Sequence, residues 1–377
     1  MAVKSTDTQM DGGAIIRAVM ALSGGMDSTA LLCRLLADGY TVSCISYDYG
    51  QKHVIEIERA QANIEYLAEN NLAVEHRIVD LSGVMGIFNS ALTKKDIEIP
   101  EGHYEEEQMK ATVVPNRNAI FSSILYGYGL SIATQEDTDV SIALGVHSGD
   151  HAIYPDCRPE FYQSLGESFA IGNWGSERIL FHLPYIDGDK ETILKDALES
   201  CNKLNIDFDT IFRNTNTSYN PDEDGRSSGT SGADVERILA FHAIGREDPV
   251  EYVTSWNEVL QGALKAQLRF HVMKQNGTER PFTGEYDKHF ESGRYYCAEC
   301  DKLLFSSEAK FDSGCGWPAF SQEVPDAEIT QLKDTSHGMV RIEVRCSKCD
   351  SHLGHLFHEA RGPRYCINSI CLNFRGD

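Results

Sequence analysis

Two Cys-x-x-Cys pairs, Cys297-Ala-Glu-Cys300 and Cys346-Ser-Lys-Cys349, constrain this chain more than any other feature. Each pair offers two thiolates on one side of a hairpin, and two such knuckles close a tetrahedral shell round one zinc ion. Seven of the eleven cysteines fall at or beyond Cys297. Cys315, in Gly314-Cys315-Gly316-Trp317-Pro318, and Cys366, in Arg364-Tyr365-Cys366-Ile367-Asn368-Ser369, are left as free thiols beside a rigid metal scaffold. A redox thiol enzyme would be built that way. The competing reading is a purely structural zinc ribbon with two incidental cysteines.

At 377 residues the chain should hold two domains, since single cores rarely grow past about 250–300 residues. The first thirteen residues are polar, carry no apolar core of a secretory signal, and read as a disordered tail. The weakly polar stretch Ile120 to Ala133 is too short and too rich in Ser and Gly to span a bilayer. Many cysteines without a signal segment indicate a reducing compartment, so a cytoplasmic protein with metal or catalytic thiols is expected. The net charge of −23 is unevenly spread. From Arg269 onward 14 basic and 16 acidic residues nearly cancel, which leaves a net of −21 before it. Such a surface repels a polyanion, so no direct nucleic-acid partner is expected.

Residues 15–22 form an apolar run, Ser23-Gly24-Gly25-Met26-Asp27-Ser28 a turn, and Leu31, Leu32, Leu35 and Leu36 recur at helical spacing until Asp38-Gly39. Strands are predicted over 42–47, 74–79 and 140–146, with helices over 54–67 and 116–134. Strands alternating with helices predict an α/β domain with a parallel sheet covered on both faces. Past Trp256 the pattern changes to a helix ending near Leu264, then short strands, Gly turns and the Cys-x-x-Cys knuckles. The boundary is placed near Ala266, giving domains over 14–266 and 267–377.

A Gly-rich loop between a strand and a helix presents backbone N–H groups and the helix dipole to an anion. The 23–28 loop fits that geometry, with Ser23 and Ser28 adding hydroxyls beside Gly24 and Gly25. It lacks the Gly-Lys-[Ser/Thr] of a Walker loop, and as spacing alone it would pass equally for a tight turn. It resembles the SGGxDS motif of the PP-loop ATP pyrophosphatases, whose sheet is Rossmann-like. Tyr47-Asp48-Tyr49-Gly50-Gln51-Lys52-His53, Val114-Pro115-Asn116-Arg117-Asn118 and the run from Gly145 to Arg158, which contains Tyr154-Pro155-Asp156-Cys157-Arg158, narrow the resemblance to the QueC family of 7-cyano-7-deazaguanine synthases.

That resemblance implies a ligase in which ATP activates 7-carboxy-7-deazaguanine, ammonia traps it as an amide, and a second activation leaves the nitrile. Pyrophosphate departure needs fixed dipoles and cations; the loop N–H groups, Arg117 and Lys190 are the candidates, with Asp27 for Mg²⁺. Asp156 and Arg158 are placed where a purine-like base and its carboxylate could be read. By residue habit alone, Lys190 could be a solvated surface lysine and Asp156 a turn former. One departure is plain. Where the family carries four zinc cysteines, this chain has Ser218, Ser228, Ser231 and Asp234. Serine hydroxyls are poor zinc ligands, so that metal site is expected to be absent, with hydrogen bonds knitting the loop instead.

In the last part, Phe282-Thr283-Gly284-Glu285-Tyr286, the segment Lys310 to Phe320, Ser336-His337-Gly338-Met339-Val340-Arg341, His352-Leu353-Gly354-His355 and Arg364 to Ser369 resemble MsrB, the peptide-methionine (R)-S-oxide reductases. The resemblance implies a smaller, mainly-β domain with structural Zn²⁺ on Cys297, Cys300, Cys346 and Cys349. It implies Cys366 as nucleophile, His352 and His355 as proton donors, Asn368 orienting them, and Trp317 as a wall of the substrate site. Cys315 would resolve the sulfenic acid to a disulfide for thioredoxin to reduce. Cys371 is a rival resolver, and the loop between Phe357 and Cys366 is shorter than usual.

The combined reading is a bifunctional enzyme. Its partners would be ATP, ammonia and 7-carboxy-7-deazaguanine in one domain, and oxidised methionine in peptides and thioredoxin in the other; the oligomeric state stays open, a homodimer included. One rival keeps the reductase as the only activity and treats the first domain as a degenerate nucleotide-binding or interaction module. Another, a tRNA-thiolating PP-loop enzyme, conflicts with the acidic surface.

Overall fold

The computed structural model describes residues 16–51, 55–94, 107–218, 221–222, 224–360 and 362–377. The expected N-terminal tail lies outside them. The chain divides into two compact units, one ending at Ala263 and one beginning at Leu264. No helix among the described residues is long and apolar enough to cross a membrane.

In the first unit β1 (Arg17–Ala21), α1 (Met26–Ala37), β2 (Thr41–Asp48), α2 (Ile55–Glu69) and β3 (Glu75–Asp80) are followed by the single turn α3 (Ser82–Met85), α4 (Arg117–Glu136) and β4 (Val140–Ala143). Then come α5 (Pro159–Gly172), β5 (Ile179–His182), α6 (Lys190–Leu204), α7 (Phe208–Arg213) and α8 (Gly232–Ala243). The strands pair in parallel in the order β3-β2-β1-β4-β5. Alternation along β1 shows why both faces are covered. Ala18, Met20 and Leu22 pack with Leu31, Leu35, Ile193 and Phe241 of α1, α6 and α8. Val19 points the other way and packs with Leu125 and Ala133 of α4 and Tyr162 of α5. The fourth predicted strand, 140–146, ends at Ala143, and Leu144 to Val146 leave the sheet to line a cavity.

Below this sheet, Arg237 of α8 is fully buried and grips the carboxylate of Asp248 through Nε at 2.6 Å and Nη2 at 2.9 Å. It also donates to the Thr215 hydroxyl and the Phe212 carbonyl. A buried pair so fully hydrogen-bonded fixes register, while removing one partner strands the other charge.

The helix α9 (Trp256–Met273) corrects the expectation of an end near Leu264. Past Leu264 good helix formers without Gly or Pro continue the turn, and Val272 and Met273 are buried in the second core. That unit holds β6 (Gly293–Cys297), β7 (Leu303–Ser306), β8 (Lys310–Phe311), β9 (Ala319–Phe320), β10 (Thr330–Asp334), β11 (Arg341–Arg345), β12 (His352–Glu359), β13 (Gly362–Ile367) and β14 (Leu372–Gly376). They form a six-stranded sheet, β10-β11-β12-β13-β9-β8, and a three-stranded sheet, β14-β6-β7. The larger sheet turns Val344, Leu353, Leu356, Tyr365 and Ile367 to the core. β12 runs into β13 with Glu359 opposite Gly362, which accounts for the short connection before Cys366.

Arg237→Met should cost roughly 3–5 kcal/mol, because Asp248 stays buried without its cation. Urea unfolding of the first unit should show a lowered midpoint, and an unchanged one would refute this role.

Candidate functional site

In the first unit the loop after β1 turns on Gly24, whose φ is +85°. A side chain there would clash with the carbonyl oxygen of Glu56 in α2, so only glycine lets the loop pass so close. The Ser23 hydroxyl accepts from the Gly25 N–H and meets the Ser28 hydroxyl at 3.0 Å, so both hydroxyls brace the loop. Helix α1 then begins at Met26 and aims its N-terminus over the loop. The Asp27 carboxylate, in its first turn, receives the Lys190 ammonium at 2.9 Å. Lys190 opens α6 and is buried, not a solvated lysine. Burial alone would lower its pKa, but Asp27, Glu236 and Asp150 raise it instead, and the cation is retained. His147 lies 3.1 Å from the same nitrogen.

Asp27, Lys190 and the two loop serines border a cavity of about 240 Å³. It lies where the chain leaves the carboxyl ends of β1 and β4 in opposite directions, the switch point at which open parallel sheets bind ligands. Ser23, Gly25, Asp27, Ser28, Lys190 and Arg117 all reach it, with Tyr47, Tyr49, Phe121 and Tyr154 supplying aromatic wall. Asp27 Oδ1 is buried and, among the described residues, has no hydrogen-bond partner. One carboxylate oxygen beside this cavity fits Mg²⁺, which takes its other ligands from water and substrate. Asp156 stands elsewhere than expected. Its carboxylate accepts from the Asn118 N–H at the start of α4, and it is Cys157, bonded by the Asn118 amide, that lines the cavity.

In the second unit the four knuckle sulfurs lie within 4.8 Å of one another, with Cys297–Cys349 at 3.7 Å and Cys300–Cys346 at 3.5 Å. Zn–S bonds of about 2.3 Å in a tetrahedron separate sulfurs by about 3.8 Å, so the donor set fits zinc. On the polar face of the larger sheet, Cys366 sits opposite His355 in the β12–β13 pairing. A bulge between Val344 and Arg345 shifts register so that His352 shares the face of His355, with ring centroids 5.5 Å apart. Cys315 Sγ approaches Cys366 Sγ to 3.6 Å. Burial pushes the Cys366 thiol up to about 12, Cys315 adding to it and Arg364 opposing. Cys371 is fully buried with its thiol directed at the His352 carbonyl. Trp317 is anchored through its indole N–H to the Glu279 carbonyl.

A model described as the queuosine biosynthesis protein QueC matches residues 17–245, and one described as the SelR domain matches 265–376. The 7-cyano-7-deazaguanine synthase 1 of Colwellia psychrerythraea is 40% identical over 236 residues, covering 63% of this chain and 98% of that protein. The 7-cyano-7-deazaguanine synthase of Methanoregula boonei is 41% identical over 237 residues, covering 63% and 99%. The chain belongs to the QueC family. Behind its QueC part it carries a SelR, or MsrB, domain, so it is a QueC–MsrB fusion.

Within the QueC part the replaced zinc positions converge on Asp234. Its Oδ2 accepts from the Ser218 hydroxyl at 3.0 Å, the Ser228 hydroxyl at 2.9 Å and the Gly229 and Ser231 N–H groups. Ser231 returns the contact by capping α8. This set offers one carboxylate and neutral hydroxyls, so it does not fit zinc. Burial raises the Asp234 pKa, with Ser228, Ser231 and Ser218 opposing. The neighbours Thr217 and Ala233 line the cavity, so the knot holds its wall.

Sequence reasoning missed Glu56, Asp334 and Glu343. The first lines the cavity, where burial pushes its carboxyl up to about 8 against the pull of Arg117. Its place within Glu56-Ile57-Glu58-Arg59 gave no sign of this. The folded carboxyl keeps its proton to higher pH than the unfolded one. Stability should therefore fall as pH rises from about 4.5 to about 8 and level off above. Glu56→Gln should flatten that part of the slope, and thermal melts across this window with identical slopes would refute it.

Proposed function

We propose that the chain is a bifunctional enzyme. The first unit uses ATP and ammonia to convert 7-carboxy-7-deazaguanine to 7-cyano-7-deazaguanine, and the second reduces peptide methionine-(R)-S-oxide. What carries the first reading is the buried Lys190–Asp27 pair at the mouth of a loop-lined cavity. A fixed cation and the loop N–H groups would meet the departing pyrophosphate, with Arg117 as the second cation. Asp27 would hold Mg²⁺, which neutralises phosphate charge when bound. Tyr154 and Cys157, rather than Asp156, would meet the base, since they are the residues of Tyr154–Arg158 that line the cavity. The Asp234 knot supports activity without the missing zinc and disfavours the degenerate-module reading.

What carries the second reading is the 3.6 Å approach of Cys315 to Cys366. Cys366 sulfur attacks the sulfoxide sulfur, a histidine delivers a proton to the oxygen, and methionine leaves a sulfenic acid on Cys366. The Cys315 thiol then displaces water to give a disulfide, and a dithiol of the thioredoxin class restores both thiols. The depth of Cys371 favours Cys315 as resolver. Zn²⁺ on the four knuckle cysteines is structural.

Substrate-dependent ATP–pyrophosphate exchange tests the ligase. Asp27→Ala should abolish it and spare sulfoxide reduction, while equal loss of both in a folded variant would sink the modular reading. Cys366→Ser should end reduction with any reductant, whereas Cys315→Ser should keep dithiothreitol-driven turnover and lose turnover with thioredoxin. Full thioredoxin-linked turnover in Cys315→Ser would show another resolver. Elemental analysis should find one zinc per chain; a second zinc held by residues 1–263 would overturn the reading of the Asp234 knot.

A further inference from the structure

The two histidines beside Cys366 are each held by a carboxylate, and each carboxylate by an arginine. His352 Nδ1 lies 2.7 Å from Glu343 Oε1, which also receives Arg345 Nε at 2.9 Å. His355 Nε2 lies 2.9 Å from Asp334 Oδ2, which also receives Arg341 Nη2 at 2.6 Å. The other Asp334 oxygen accepts from the Ser336 N–H at 2.7 Å. These bonds run across β10, β11 and β12, so distant segments of sequence build one repeated unit of arginine, carboxylate and imidazole. Asn368, expected to orient the histidines, is engaged otherwise. Its oxygen accepts from the Glu279 N–H and its amide donates to the Leu353 carbonyl.

A carboxylate can only accept, so the ring nitrogen facing it carries the proton and the other nitrogen of a neutral imidazole is a lone pair. The two pairs use different nitrogens. His352 is therefore protonated at Nδ1 with Nε2 bare, and His352 Nε2 is buried and has no hydrogen-bond partner among the described residues. His355 holds a proton at Nε2, toward Asp334, which in the neutral ring leaves Nδ1 as the lone pair. Hydrogen bonds from Ser336, His355 and Arg341 keep the Asp334 carboxyl well below its usual range, so it stays an acceptor. Burial lowers the His352 pKa despite Glu343 beside it, so that ring stays neutral and its tautomer matters.

We propose that Asp334 and Glu343 are positioning residues of the reductase site, fixing opposite tautomers in His355 and His352. One sheet face thereby carries both a bare Nε2 and a bare Nδ1 on the strand paired with that of Cys366. This rests on the reading of the second unit as a sulfoxide reductase. A bare nitrogen can take the proton that Cys366 must lose, and the imidazolium so formed can return it to the sulfoxide oxygen, so the proton is conserved across the attack.

The test combines kinetics with imidazole ¹⁵N NMR on the full chain. In the wild type the spectra should show His355 protonated at Nε2 and His352 at Nδ1. Asp334→Asn leaves one oxygen for the three donors Ser336, Arg341 and His355, and should shift the tautomer of His355 alone; Glu343→Gln should shift His352 alone. Each should lower kcat for methionine-R-sulfoxide by about 10²-fold with KM little changed, the scale of lost acid–base assistance. The opposite tautomers in the wild type, or wild-type kcat in both variants, would overturn the proposal. If a variant fails to fold, the wild-type spectrum still decides. A wild-type chain with these tautomers but no reductase activity would sink the reductase reading and leave the pairs standing.

Discussion

The contact between the Lys190 ammonium and the Asp27 carboxylate joins the first turns of α1 and α6, two helices that start far apart in the sequence. Both helices begin where strands end, so their N-termini converge over one crevice of the sheet. A buried lysine would ordinarily lose its charge; three carboxylates around it prevent that. The cation thus survives next to the loop N–H groups, and the cavity combines positive charge with aromatic wall although the unit as a whole is acidic. Gly24 makes the arrangement possible by letting the loop lie against the backbone of α2.

The two units solve the same problem, holding loops without a large local core, in different ways. Beyond β6 and β11 four sulfurs converge at the spacing of a zinc tetrahedron. In the QueC part the corresponding task falls to Asp234, whose one oxygen gathers two hydroxyls and two backbone N–H groups. A metal ion binds four charged ligands at a cost in desolvation that the ion itself offsets. A carboxylate with neutral donors carries a smaller charge and needs no ion, but it must stay ionised against burial, which raises its pKa.

The polar face of the larger sheet shows how regular pairing can assemble a site. Opposition of His355 and Cys366 follows from antiparallel register, but His352 reaches the same face only because Leu353 is an extra, unpaired residue of β12 opposite Val344 and Arg345. Without it, residues three apart on a strand point to opposite sides. The same shift lets Leu353 join Leu356 on the core face, where they pack with Val344 and Ile367 and hold the sheet in place.

The sequence by itself determined the order of strands and helices in the first unit as far as β4, because apolar runs broken by Gly turns leave little choice of period, while α5 to α8 and β5 were not read from it. It also determined the loop, the thiols and the metal cysteines, since their chemistry is tied to residue type at short spacing. Helix α9 was legible only to Leu264, because its last turns are buried by contacts with strands later in the chain. Tertiary structure alone decided which charges meet. Lys190, a candidate cation by resemblance and a surface lysine by residue habit, meets Asp27 only once α6 is docked on α1; Asp156 reads as a base reader until α4 takes its carboxylate, and Asp334 and Glu343 as ordinary strand acids until β12 lies beside them. Each of these pairings spans segments that local propensity does not connect, and long-range packing sets the distance and the dielectric on which their strength depends.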